Sequence, residues 1–157
     1  MKLVLKIATT AISALCATTA LSADYTIKRS LELPYPAVEI WNLIGDFCDV
    51  DDWHPSINAC SLKVDEGSLV RLITTNDGDV ITQKRIAEEP SLSYTYRTVS
   101  SSLPVESFTA TLSIEPFEKP LIMWSASFSS DDPATEQAVV TEMEAGLAAI
   151  ETILSAR

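Results

Sequence analysis

The chain has 157 residues, 22 of them acidic against 11 basic, and a formal net charge of −11. That balance repels nucleic acid and anionic lipid headgroups, so neither is an expected partner, while a basic protein partner is compatible with it. The length suits a single domain with a real core.

The N-terminus decides which residues have to fold. Lys2 and Lys6 precede an uncharged run, residues 7–21, rich in Ala, Thr and Leu, and the small residues Ala20, Ser22 and Ala23 stand just before Asp24. This three-part pattern is that of a secretory signal peptide. The run falls short of the roughly 20 apolar residues a spanning helix needs. Leu15 is too bulky before Cys16 for a lipoprotein signal. The expectation is a signal peptide over 1–23, cleaved after Ser22 or Ala23. One domain, 24–157, is then left in the periplasm or outside the cell, with no membrane span. Loss of two lysines takes that domain to a net charge of −13. Of the cysteines it keeps Cys48 and Cys60, which in an oxidising compartment either form a disulfide or stay two buried thiols.

Residues 24–33 begin with an alternation of Tyr25 and Ile27 against Thr26 and Lys28, which predicts a strand. Pro36 suits the first turn of a helix, and Ile40, Trp41, Leu43 and Ile44 recur at helical spacing behind it. Residues 45–55 are acidic and loop-like, with room for one more helical turn. Short strands over 57–64, 68–74 and 80–87 are divided by the hairpin signals Glu66-Gly67 and Asn76-Asp77-Gly78-Asp79. Three alternating runs follow: Leu92, Tyr94 and Tyr96; then Phe108, Ala110, Leu112 and Ile114; then Ile122, Trp124, Ala126 and Phe128. Each has one apolar face, as in an antiparallel sheet solvated on its other side.

Asp131-Asp132-Pro133 opens a last helix, with an acidic cap and Pro in its first turn. Val139, Val140, Met143, Leu147, Ile150, Ile153 and Leu154 form its apolar stripe. Gly146 sits in that stripe at a cost of about 1 kcal/mol relative to Ala. A close approach or an open space opposite would explain it. A curved antiparallel sheet around one long helix buries both apolar faces, which makes the fold α+β.

These residues carry a resemblance. Trp41-Asn42-Leu43-Ile44-Gly45-Asp46-Phe47 with Trp53-His54-Pro55 resembles the W-x-x-I-x-D-F … W-H-P opening of SRPBCC (START/Bet v 1-like) proteins of the polyketide cyclase/dehydrase branch. Arg71 after Gly67, Tyr94 and Tyr96 with Leu103-Pro104-Val105, Trp124-Ser125-Ala126 before Phe128, and Gly146-Leu147 follow in the branch's order. The resemblance implies the helix-grip fold: seven antiparallel strands around a C-terminal helix, two short helices after the first strand, and a cavity for an apolar or amphipathic ligand. One departure stands out. Where the branch often has E-R-L, this chain has Lys84-Arg85-Ile86.

The chemistry on offer is sparse. His54 is the single histidine, which excludes a multi-histidine metal site. Beside Asp49, Asp51 and Asp52 it reads as an acid/base group, or more simply as a structural corner donating to a backbone carbonyl. The acids at 46, 49, 51 and 52 lack the spacing of a calcium loop. Arg71 either anchors a ligand carboxylate or carbonyl or snorkels at the sheet edge. Tyr94, Tyr96 and Trp124 suit either a cavity wall with polar tips or plain core.

The expected ligand-contacting set is Trp53, His54, Arg71, Tyr94, Tyr96, Leu103, Pro104, Trp124 and Gly146, with Leu103-Pro104-Val105 as a gate at the pocket mouth. No cofactor, metal or catalytic set is expected. The reading is an exported, non-catalytic binder or carrier of a small hydrophobic molecule. The alternatives are a cyclase or dehydratase using His54, Arg71 and a tyrosine, and an accessory protein of a periplasmic dehydrogenase, as in the MxaD type.

Overall fold

The computed structural model describes residues 22–157, so most of the segment read as a signal peptide lies outside the described residues. The described residues form β1 (Ala23–Glu32), α1 (Ala37–Ile44), α2 (Val50–Trp53), β2 (Ile57–Asp65), β3 (Ser68–Thr75), β4 (Val80–Glu89), β5 (Ser93–Ser100), β6 (Glu106–Glu115), β7 (Leu121–Ser130) and α3 (Ala134–Ser155). Where the sequence alternates with period two the chain is strand, and where its apolar residues recur at three and four it is helix.

Local chemistry sets the joints. Glu66 and Gly67 both take positive φ (48° and 75°), the conformation that lets a two-residue turn follow the twist of β2 and β3. Pro36 presents its carbonyl to the amides of Glu39 and Ile40 at the start of α1. The Asp132 carboxylate accepts the Ala134 amide at 2.9 Å at the start of α3. β6 begins two residues earlier than its alternation predicts. An irregularity between Glu106 and Thr109, with Ser107 at φ 53°, breaks the period-two signal there.

The seven strands make one antiparallel sheet in the order β1-β7-β6-β5-β4-β3-β2. Tyr94, Leu112 and Trp124 lie in one cross-strand row on its inner face, and Tyr96, Ala110, Ala126 and Ile27 in another. All of these are buried. α3 lies along this face and buries Val139, Val140, Met143, Leu147, Ile150 and Leu154. Burial of each such side chain contributes about 1.5–3 kcal/mol. Ion pairing is incidental to this, the Arg29–Glu144 bridge from β1 to α3 being half-exposed.

Cys48 and Cys60 are joined as a disulfide with Cα atoms 5.6 Å apart, tying the loop between α1 and α2 to β2. Closing a loop of this length contributes about 3 kcal/mol in the chain-entropy account. The acids of the loop serve its backbone: Asp46 accepts the Cys48 amide at 3.0 Å, and Asp51 the Cys60 amide at 2.9 Å.

Gly146 marks a close approach. A Cβ placed there would lie 2.8 Å from His54 Cδ2, 3.0 Å from Trp124 Cζ3 and 3.1 Å from Trp53 Cζ3. Three rings packed on one another cannot all withdraw. The overpacking of about 1–3 kcal/mol therefore exceeds the gain of about 1 kcal/mol in helix propensity. Gly146→Ala is expected to lower stability in urea titration, whereas a substitution by Ala at an exposed helix glycine would raise it.

Candidate functional site

Between β3, β4, β5 and the N-terminal half of α3 the core does not close. A chamber of about 130 Å³ remains, with Ile57, Ile73, Ile81, Phe108, Val139 and Met143 among its apolar walls and His54, Arg71, Gln83, Tyr96 and Glu142 among its polar ones. A cavity near 150 Å³ accepts a benzene ring in another protein, which sets the size of a fitting body. The chamber adjoins a larger groove of about 720 Å³ between α3 and the β3–β4 hairpin. Ile57, Ile81, Leu103 and Glu142 line both.

Arg71 governs the electrostatics. It is 2% exposed. Nη1 donates to the Phe47 carbonyl at 2.6 Å and Nε to Gln83 Oε1 at 2.8 Å. Its guanidinium carbon stands 4.3 Å from the centre of the Phe47 ring, 4.7 Å from that of Tyr96 and 5.8 Å from that of Tyr94. A desolvated cation over such faces gains about 2 kcal/mol. No carboxylate pairs with it among the described residues. Nor do the phenols supply a negative charge. Burial pushes the Tyr94 hydroxyl up to about 12 and raises that of Tyr96, with Arg71 opposing in both cases. The guanidinium is therefore held by neutral groups alone, and its positive potential faces the chamber.

Tyr96 adds a second donor. Its hydroxyl accepts the Trp124 indole N–H at 3.1 Å, and its own proton meets no acceptor among the described residues. Gln83, anchored by Nε2 to Thr98 Oγ1 at 3.3 Å, turns its oxygen to Arg71 and so sets the direction of the guanidinium. Two hydrogen-bond donors thus meet an apolar space. That pattern complements a ligand oxygen.

His54 is fastened on both sides. Nε2 lies 3.1 Å from the Glu142 carbonyl, and Nδ1 accepts the Ser56 amide at 3.3 Å, so the neutral ring with its proton on Nε2 satisfies both partners. Burial lowers its pKa, against the pull of the Glu142 carboxylate 3.9 Å away and the Glu142 carbonyl; Arg71 lowers it further.

Of the residues singled out in the sequence, His54, Arg71, Tyr96, Leu103 and Trp124 come together in the chamber. Trp53 and Gly146 form the packing knot behind it with His54 and Trp124. Tyr94 is buried against Phe47, Trp41 and Tyr96 outside the lining. Pro104 lies outside the lining as well, its carbonyl accepting the Ser130 hydroxyl at 2.6 Å. Leu103 stands between chamber and groove on a loop pinned to the hairpin by Ser102 Oγ to Asp79 Oδ2 at 2.7 Å. Gln83 escaped the sequence reading. Its signal was a polar side chain at an inward position of β4, directly across from Arg71.

A family model described as polyketide cyclase / dehydrase and lipid transport matches residues 25–154. No curated protein matches the chain in sequence. Among solved structures, XoxI from Bacillus cereus is 26% identical with a TM-score of 0.73, over 82% of this chain and 94% of that one. The Zhui aromatase/cyclase from Streptomyces sp. R1128 is 14% identical with a TM-score of 0.71, over 83% of this chain and 93% of that one. Ara h 8.0201 is 17% identical with a TM-score of 0.68, over 86% of this chain and all of the other. The last two show the fold alone. The chain belongs to the polyketide cyclase / dehydrase and lipid transport family and has its hydrophobic-ligand-binding fold.

The lowered pKa of His54 has a direct consequence for stability. The unfolded chain takes up the proton near the usual 6.5 while the folded chain resists it. Stability is therefore complete above that pH and falls as the pH drops below it, by up to about 1.4 kcal/mol per pH unit. Asp49, raised mainly by burial and then by its acidic neighbours, acts in the opposite sense at lower pH. The difference between the native chain and His54→Gln isolates the histidine. That difference in urea-unfolding free energy is expected to shrink from pH 7.5 to 5.5.

Proposed function

We propose that this family member is an exported, non-catalytic binding protein or carrier for a small molecule with a ring-sized apolar body and an oxygen acceptor. The single observation that carries this is the charge of Arg71, buried in the chamber wall with neutral partners only. Burying an isolated charge is costly unless something compensates it. A carboxylate or carbonyl entering the chamber would do so, with the Tyr96 hydroxyl as its second donor. The groove past Leu103 provides room for a longer, more polar remainder. The engagement of both His54 nitrogens by backbone groups supports a non-catalytic role, because the one imidazole is already committed to holding α2 against α3.

A cyclase or dehydratase draws on one observation of its own. Arg71 and the Tyr96 proton could stabilise an enolate oxygen in place of a resting ligand. No residue of the site speaks for the accessory role beside a dehydrogenase. Export rests on the sequence pattern of residues 1–23.

Two measurements test the reading. In calorimetric titration benzoate and acetophenone are expected to bind, and Arg71→Met to weaken benzoate by about 10- to 100-fold, the range of a charged hydrogen bond. Toluene should bind both proteins alike. Arg71→Lys, which keeps the charge, should lose less. If no oxygen-bearing ligand binds the native protein, and mass spectrometry of protein from its own host finds none either, the binding role is overturned. Consumption of a bound ligand would move the assignment to the enzyme. For export, the mature protein is expected in the periplasm or medium with Ala23 or Asp24 as its first residue, and an uncleaved chain in the cytoplasm would refute it.

A further inference from the structure

The outer face of the sheet carries a charge pattern opposite to that of the whole molecule. Register places Lys63, Val70, Lys84, Arg97, Thr109, Ser127 and Thr26 in one row across all seven strands. Arg71, Tyr96 and Ala126 occupy the alternate, inward positions, so this row faces away from α3. Val70 is only 2% exposed although it stands outside the core cluster. The groups that register sets beside it are Lys63 and Lys84, whose aliphatic stems can lie over it with their ammonium groups outward.

The basic residues divide accordingly. Arg29, Arg85 and Lys119 pair with carboxylates, and Arg71 is buried. Among the described residues the cations other than buried Arg71 without an ion pair are Lys28, Lys63, Lys84, Arg97 and Arg157, and the first four stand on the outer face. Lys84 is directly opposite Arg97. Like charges in that relation are destabilising, so folding gains nothing from the pair.

We infer that this row is a docking surface for a short acidic segment of another protein. Strand spacings of about 4.8 Å put Lys63 and Lys84 about 10 Å apart and Arg97 about 5 Å further on. An extended segment carries alternate side chains about 7 Å apart on one face, so three carboxylates span the same length. The hydroxyls of Thr109 and Ser127 continue the row for polar contacts. Screening beyond roughly 8–10 Å lets a short segment feel the row alone. A long polyanion or a lipid surface would also meet the acids that ring this face, among them Asp65 and Glu89 at strand ends.

Fluorescence anisotropy with a labelled hexaglutamate peptide tests this at an ionic strength of about 0.1 M, where that screening holds, with hexalysine and phosphatidylcholine/phosphatidylglycerol vesicles alongside. Hexaglutamate is expected to bind, to lose affinity as salt is raised, and to bind the double variant K84E/R97E at least tenfold more weakly. Equal binding by that variant, no binding at that ionic strength, or binding of the vesicles without the peptide would overturn the inference. Thermal unfolding keeps it falsifiable without a peptide. K84Q or R97Q should each leave the melting temperature unchanged or raise it, and the second neutralisation should add less than the first. A fall in either single variant would make the row part of the folding machinery instead.

Discussion

A buried guanidinium without a carboxylate organises this molecule. Arg71 stands on β3 and reaches the carbonyl of Phe47 in the loop after α1, the amide of Gln83 on β4 and the rings of Phe47 and Tyr96. It therefore joins the sheet to the short helices across the interior. The disulfide acts on the same loop from the next residue, since Cys48 follows Phe47 and Cys60 lies across from Ile73, two positions from Arg71 on the same face. Chamber, loop and sheet edge depend on one another through this one side chain.

The rest of the interior divides into a filled half and an open half. Around Gly146 the helix comes so near the sheet side that His54, Trp53 and Trp124 leave no room for a Cβ. One to two turns towards the N-terminus of α3, Met143, Glu142 and Val139 line the chamber. The absent side chain at 146 thus fixes how close the helix lies, and two of the rings gathered there, His54 and Trp124, line the cavity. His54 belongs to both halves, packed against Trp124 on one side and lining the chamber on the other.

Much of this was legible beforehand. The order of elements followed from period-two and period-3.6 patterning, and the hairpins from Glu66-Gly67 and the Asn-Asp-Gly-Asp turn. Arg71, Tyr96 and Trp124 could be named because polar tips on apolar strand faces are few, and Leu103 through the loop that the family resemblance sets at the pocket mouth. The division between wall and core was not legible. Tyr94 and Tyr96 have the same alternation and are both buried, yet only Tyr96 lines the chamber, because α1 and Phe47 cover Tyr94. Gln83 passed unremarked since a single inward amide in a strand has no meaning until Arg71 is seen opposite it.

Amino-acid order alone determined the α+β class, the long C-terminal helix and the acidic character, because each is a local property of periodicity or composition. It also narrowed the chemistry, since one histidine and three cysteines, two of them within 24–157, leave few sites to build. Tertiary structure decided what those residues do. The partners of Arg71 come from positions 47, 83 and 96, those of His54 from 56 and 142, and the cations of the outer row from three separate strands. Charges and donors so far apart along the chain acquire a common field only when register and packing bring them within a few ångströms.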